Sequence, residues 1–391
     1  MSHSRFSPSG AHRWMPCPGS AILEQGIQDT SSEYANEGTK AHELAAAWLN
    51  GEVESDDALN NEMGRHIVGY GRRVYDLVES DPTVQGELLV EQKLDFSEWI
   101  NVAPEEGFGT ADAVILLLDE IILIDFKYGM GVKIDAEDNP QMLLYALGAL
   151  ASFEQMGIFK RVRMIIDQPR LGHVSEAVAT VEQLKGFAAR VLASVQLIQA
   201  AKNMDADSLE ANGYLNPGED QCRWCKARAS CPALSASVSQ ATGVDFDDLT
   251  SSADEPKNVS SEWLGRAMAA IPMVEDWCKA IRAEVEGRLL AGKPVDGWKL
   301  VEGKRGSRRW SDEQKAEELF KAFRWKKEEI FDMKLISPTT AEKRLAENPK
   351  QWERAQALIT QAEGRPSVAP QSDKRPAISM ATVADDFETL V

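Results

Sequence analysis

The 391 residues predict a mixed α/β core joined to a smaller, mainly helical C-terminal module. Three observations carry that expectation. The hydrophobic period changes from helical to alternating near residue 80, two β-rich runs flank the pair Asp119-Glu120, and helical patterns then alternate with a further strand. In order, residues 37–49, rich in Ala and Leu after Gly38-Thr39, predict a helix, and residues 60–79 predict another. Residues 86–96 alternate as a strand, and 111–118 with 121–127 predict a hairpin turning at Asp119-Glu120. Asn139 before Pro140 is an N-cap followed by proline at the first helical position, so a helix starts there and runs to about residue 156. Residues 161–167 predict a strand and 181–202 a long helix.

Four segments follow from composition. Residues 1–241 hold the α/β domain, and 242–261, polar and acidic, predict a linker. Residues 262–361 predict a helical and basic module, with helical pattern over 263–291 and 312–361; residues 362–391 predict a mobile tail. With 43% hydrophobic and 27% charged residues, the chain is neither fibrous nor disordered overall. No apolar run approaches the roughly 20 residues of a spanning helix, since the best candidate, 113–124, is broken by Asp119 and Glu120. The polar and proline-bearing residues 1–10 lack the apolar stretch of a signal peptide, which predicts a cytoplasmic protein with no membrane partner. Lys+Arg 43 against Asp+Glu 62 gives a net charge of −19 and argues against a wholly basic nucleic-acid-binding surface, leaving room for a local basic groove.

The stretch that carries chemistry is Gly109-Thr110-Ala111-Asp112, then Asp125-Phe126-Lys127, then Gln141 and Tyr145. A hairpin turning at Asp119-Glu120 sets Asp112 across from Lys127 and Val114 across from Asp125. Cross-strand partners and residues two apart share a face, so Asp112, Asp125 and Lys127 point the same way. Two carboxylates and an ammonium among aliphatic neighbours call for a ligand, and oxygen donors favour Mg²⁺ or Mn²⁺. Taken alone, a D-x-K pair is better read as an exposed salt bridge on a solvated sheet face. Gln141 and Tyr145 stand one turn apart on the helix that follows, and His42 sits in the first turns of the helix after Gly38.

Together these motifs resemble the RecB-like branch of the PD-(D/E)XK nucleases, whose order is a G-x-x-x-H helix, a G-x-x-D strand, a D/E-x-K strand and a Q-x-x-x-Y helix. The resemblance spans residues 38–145 and implies a restriction-endonuclease-like core, a mixed central sheet flanked by helices. It implies that His42, Asp112, Asp125 and the Phe126 carbonyl hold the metal, that Lys127 is the catalytic lysine, and that Gln141 and Tyr145 order the site and the DNA strand. Asp125 stands where many members carry Glu, and Ala111 replaces the proline. Glu91, on the preceding strand, fits either an extra acid near the metal or a solvated strand face. The activity implied is a Mg²⁺- or Mn²⁺-dependent DNA exonuclease, phage-associated, that resects linear single- or double-stranded ends for recombination or repair. A recombinase or single-strand-binding protein is an implied partner. No G-x-x-x-x-G-K-[ST] loop occurs, so the chain carries no ATP motor of that kind. The competing expectations are a non-catalytic DNA-binding or assembly protein on the same fold and a zinc-binding scaffold.

Cys222, Cys225 and Cys231 form C-x₂-C-x₅-C, and Cys17 lies near the N-terminus. The spacing suits either tetrahedral zinc or a [4Fe–4S] cluster. The resemblance to AddB-type and CRISPR-associated RecB-like nucleases, with one cysteine before the motifs and three after, implies the iron–sulfur cluster. Cys278, beside Trp277 in an apolar helical pattern, predicts a core thiol. Finally, Lys299, Lys304, Arg305, Arg308 and Arg309 against Glu302, between Trp298 and Trp310, suit either a loop that holds DNA phosphates or a solvated hairpin.

Overall fold

The computed structural model describes residues 4–27, 33–53, 60–80, 85–242, 261–299, 301, 313–324, 326–331, 337–346 and 348–359. Two compact units divide the chain, Met1–Val301 and Glu302–Val391.

In the first unit, short helices α1 (Ala11–Trp14) and α2 (Ser20–Leu23) precede α3 (Glu33–Leu49) and α4 (Glu62–Val78). Strand β1 (Glu87–Asp95), a turn of helix α5 (Ser97–Ile100), β2 (Phe108–Leu116) and β3 (Glu120–Phe126) follow. Helix α6 (Pro140–Phe153) then leads to β4 (Arg161–Gln168), β5 (His173–Thr180) and α7 (Val181–Ala201). The five strands form one mixed sheet in sequence order, antiparallel except for β3 and β4, which run parallel because α6 carries the chain back across the sheet. One sheet face packs Val114, Leu116, Ile121, Leu123 and Met164 against α6 and α7. The other packs Ala113, Ile115, Ile122 and Ile124 against Ala41 and Ala45 of α3 and Ile67, Tyr70 and Val74 of α4. The result is three layers, with β3 buried along its whole length.

Capping explains where the helices begin. Asn139 accepts from the amides of Gln141 and Met142 with Pro140 behind it, as the sequence predicts. Thr180 and Gln183 form a reciprocal capping box at the start of α7. The hairpin differs from expectation. Its connection is Leu118-Asp119, and Ala113 pairs with Ile124, two residues away from the predicted register. Glu120 belongs to β3 because Arg161 and Arg163 of β4 bind its carboxylate at 2.7 and 2.6 Å, so a residue that looks like a turn is buried in the sheet. A slip of two leaves every side chain on its face, and Asp112 remains beside Asp125 and Lys127. Strand β5 escapes the sequence reading because its alternating residues are small or polar.

Past α7, α8 (Ala206–Ala211), α9 (Glu219–Arg223) and α10 (Pro232–Thr242) precede α11 (Ser261–Leu290), which packs against α9 and α10. Helix α11, expected in the second module, therefore belongs to the first unit; of the expected linker, residues 243–260 lie outside the described residues. In the second unit the described helices are Glu313–Ala322, Lys327–Ile330, Pro338–Arg344 and Pro349–Gln356, four short pieces where the period suggested longer helix. The expected tail, 362–391, lies outside the described residues. No described helix is long and apolar enough to cross a membrane.

Candidate active site and cysteine site

The C-terminal end of β3 gathers the predicted residues. Asp125, only 4% exposed, accepts from Gln141 Nε2 at 2.9 Å on Oδ1, and its Oδ2 lies 3.1 Å from Lys127 Nζ. That second contact is an ion pair, made by an Oδ2 that is itself buried. Gln141 ties the group together: its Oε1 accepts from Lys127 Nζ at 3.2 Å, and its Nε2 also reaches the Tyr145 hydroxyl at 3.3 Å. Both side chains come from the first turns of α6, which the Asn139 cap starts at the right place.

On the neighbouring strand, Asp112 accepts the Phe126 amide on Oδ2 at 2.6 Å and meets His42 Nδ1 with Oδ1 at 2.9 Å. His42 follows Ala41, whose burial with Ala45 and Leu49 seats α3 on the sheet and carries the imidazole to this edge. Glu91 completes a set: among the described residues, donor atoms of His42, Glu91 and Asp112 lie within 4.8 Å of one another. Glu91 reaches it through a left-handed backbone, φ 51°. The alternation of β1 reverses there, Leu88 and Val90 facing α3 and α4 while Leu94 faces α6. Strand periodicity could not foresee that reversal, which brings the Glu91 carboxylate beside His42 and Asp112.

The electrostatics of the site draw positive charge inward. Burial pushes the Asp125 carboxyl up, and Asp112 adds to this against the pull of Lys127. Burial and Asp112 likewise raise Glu91. For His42, burial acts downward, but the hydrogen bond and charge of Asp112, with Asp125, outweigh it and raise the imidazole. Lys127 is raised in the same way, Asp125 and Asp112 overcoming burial. Burial raises Tyr145, which stays a neutral hydroxyl. Three carboxylates crowding one site hold their bases protonated, and a dication satisfies the same field by replacing protons. The residues therefore fit a hard divalent cation held by oxygen and imidazole donors.

A groove of about 2130 Å³ is lined by Lys127 and Gln141, by residues of the N-terminal segment from Ser4 to Pro16, and by Trp224 and Lys226. Eight lysines and arginines line it against four acids, a local excess of positive charge in a chain of net −19. Arg305, Arg308, Arg309 and Trp310 lie outside the described residues.

Cys17, Cys222, Cys225 and Cys231, separated by about 200 positions in sequence, line a single cavity. All four are free thiols, and backbone amides of Asn216 and Gly218 donate to the sulfurs of Cys17 and Cys222 at 3.3 and 3.4 Å. Burial pushes the Cys225 thiol up to about 12 and raises Cys222 and Cys231. Two buried and two half-buried thiols lining one space, two of them already receiving N–H donors, form a soft metal-ligand set. Cys278 is half-buried on α11, apart from this set.

Among solved structures, one described as "Crystal structure of SSO0001" is similar to 54% of this chain and 93% of its own, at 15% identity and a TM-score of 0.25. A family profile described as "Protein of unknown function (DUF2800)" matches residues 3–376, and the chain belongs to that family.

Proposed function

We propose that the protein is a divalent-metal-dependent deoxyribonuclease of the RecB-like PD-(D/E)XK type, acting as an exonuclease on linear DNA. The observation that carries this reading is Gln141 joining Asp125, Lys127 and Tyr145 while Asp112 joins His42 to the Phe126 amide. A structural salt bridge explains Asp125 and Lys127 alone, but leaves the adjoining His42, Glu91 and Asp112 without a purpose. The four motifs also occur in the order their resemblance requires.

In this reading His42, Asp112 and Asp125, with the Phe126 carbonyl and Glu91, hold Mg²⁺ or Mn²⁺, which supplies an activated water and charge neutralisation at the phosphate. Lys127, kept cationic by its two carboxylates, offsets the charge that develops on the phosphate oxygens. Gln141 fixes the rotamers of Asp125 and Lys127 at once, and the neutral Tyr145 hydroxyl is a donor for the strand beside the scissile bond. Cys17, Cys222, Cys225 and Cys231 hold a [4Fe–4S] cluster. The resemblance, with one cysteine before the motifs and three after, supports this group over zinc.

The test is degradation of end-labelled linear DNA, with a circular control, in Mg²⁺ and in EDTA. Linear DNA should disappear only with the metal, and circular DNA should persist. Asp125→Asn and Lys127→Ala should each reduce the rate at least 100-fold with melting temperature nearly kept, since the groups serve chemistry more than packing. Full activity in either variant, or cleavage in EDTA, removes the assignment.

A further inference from the structure

We infer that the turn between Cys222 and Cys225 is a binding point for single-stranded DNA, with the Trp224 indole stacking on a base of a strand whose phosphates follow the groove to Lys127. The inference deepens the nuclease reading and rests on it for the identity of the strand.

Trp224 is 64% exposed, a large apolar ring left in water in the wall of the groove. Its ring is free but its backbone is not. Arg13 donates to the Trp224 carbonyl at 3.1 Å, Glu24 accepts the Lys226 amide at 2.7 Å, and Arg13 and Glu24 pair at 3.0 Å. The N-terminal segment thus holds both sides of the turn, with the two cysteines anchored in their cavity. A ring presented by so fixed a backbone loses little entropy on stacking. Its neighbours suit an anionic chain: Arg223 adjoins it, Arg190 of α7 lines the same groove, and among the described residues neither makes an ion pair. Lys127 and Gln141 line that same groove.

Continuity with those two residues and the basic excess favour a nucleic-acid strand over a hydrophobic protein segment, which would gain nothing from the cations. A single strand is required because an indole in a groove wall meets a base face only where the base has left its duplex stack.

The experiment measures binding of a fluorescent oligothymidylate to the full-length, cluster-loaded protein in EDTA, so that no cleavage enters. Trp224→Ala should weaken binding about 5- to 150-fold, the loss carried by one stacked base. Trp224→Phe should restore most of it, and iron content should match wild type in both. Arg190→Ala, on α7 and not in the cysteine loop, should lower the salt dependence of binding by about one counterion. With 5-iododeoxyuridine in the oligonucleotide, photocrosslinking should label the peptide containing Trp224. Unchanged affinity in Trp224→Ala, crosslinks confined elsewhere, or preferential duplex binding overturns the inference. Trp224-dependent binding by a protein that cuts no DNA keeps this inference and removes the nuclease reading; metal-dependent cutting with Trp224-independent binding does the reverse.

Discussion

Glu91 is the residue that most repays attention to backbone geometry. A non-glycine residue in the left-handed region costs on the order of 1 kcal/mol, and here the cost places a third carboxylate beside His42 and Asp112. If Glu91 binds the cation, Glu91→Gln, which keeps shape and removes charge, should raise the Mg²⁺ concentration for half-maximal cleavage by about tenfold or more. In EDTA the same variant should melt no lower than wild type, because it relieves repulsion from Asp112. A normal metal requirement, or a fall in melting temperature without metal, makes Glu91 a structural residue instead. Other side chains at this site were legible from spacing alone: Asp112, Asp125 and Lys127 by strand parity, and Gln141 and Tyr145 by the helical repeat after Asn139. Glu91 was ambiguous because the chain inverts at that very residue, and a period of two holds only while φ stays extended.

At the level of elements, the β2–α6 contact gives the glycine of the Gly109-x-x-Asp112 motif its reason. A methyl group at Gly109 would lie 2.6 Å from Pro8 Cγ and 2.7 Å from Tyr145 Cε1, so the strand accepts no side chain where the N-terminal segment and α6 both close upon it. Gly109→Ala should therefore cost about 1–3 kcal/mol of stability by overpacking and should slow cleavage by moving the Tyr145 ring. Calorimetry and the cleavage rate check both; wild-type values in both would mean that Pro8 and Tyr145 yield freely. The extents of α4, α6, α7 and β4 followed from local pattern and capping. The hairpin turn did not, because the guanidiniums that draw Glu120 into the sheet lie some forty positions away on β4. Strand β5 was hidden for a related reason. Its outward residues include Val174 and Val178, both half exposed, while its inward ones are as small as Ala177 and Ala179, so neither face announces itself. Pairing with β4, and not local periodicity, makes it a strand.

Across the whole first unit, the two ends of its main fold are drawn together at the cysteines. The Gly19 amide donates to the Tyr214 carbonyl at 2.9 Å, Asn216 Nδ2 donates to the Pro16 carbonyl at 3.1 Å, and Cys17 packs with Ala201, Leu209, Leu215 and Ala233 in a small apolar cluster of its own. That cluster is distinct from the two layers on the sheet, whereas Phe6, Ala11 and Trp14 seat the first part of the N-terminal segment in the main core. The four sulfurs tie Cys17 to the turn near Cys222 across a loop of about 200 residues, a closure whose entropy term is on the order of 5 kcal/mol. Residues 15–25 and 214–235 should therefore be held by the cysteine-bound group, whereas the sheet and residues 4–14 should stand without it. Protein purified without oxygen should contain iron and acid-labile sulfide. Cys225→Ser should lower the melting temperature and speed amide exchange in residues 15–25 and 214–235, with residues 4–14, β2, β3 and β4 still protected. Because Met15, Pro16, Ala21 and Glu24 line the groove that also holds Lys127, the variant should also cut DNA more slowly although no residue at the metal has changed. Stoichiometric zinc without iron would replace the cluster with a zinc site, and unaltered exchange in residues 15–25 would show that this stretch is held by its own contacts.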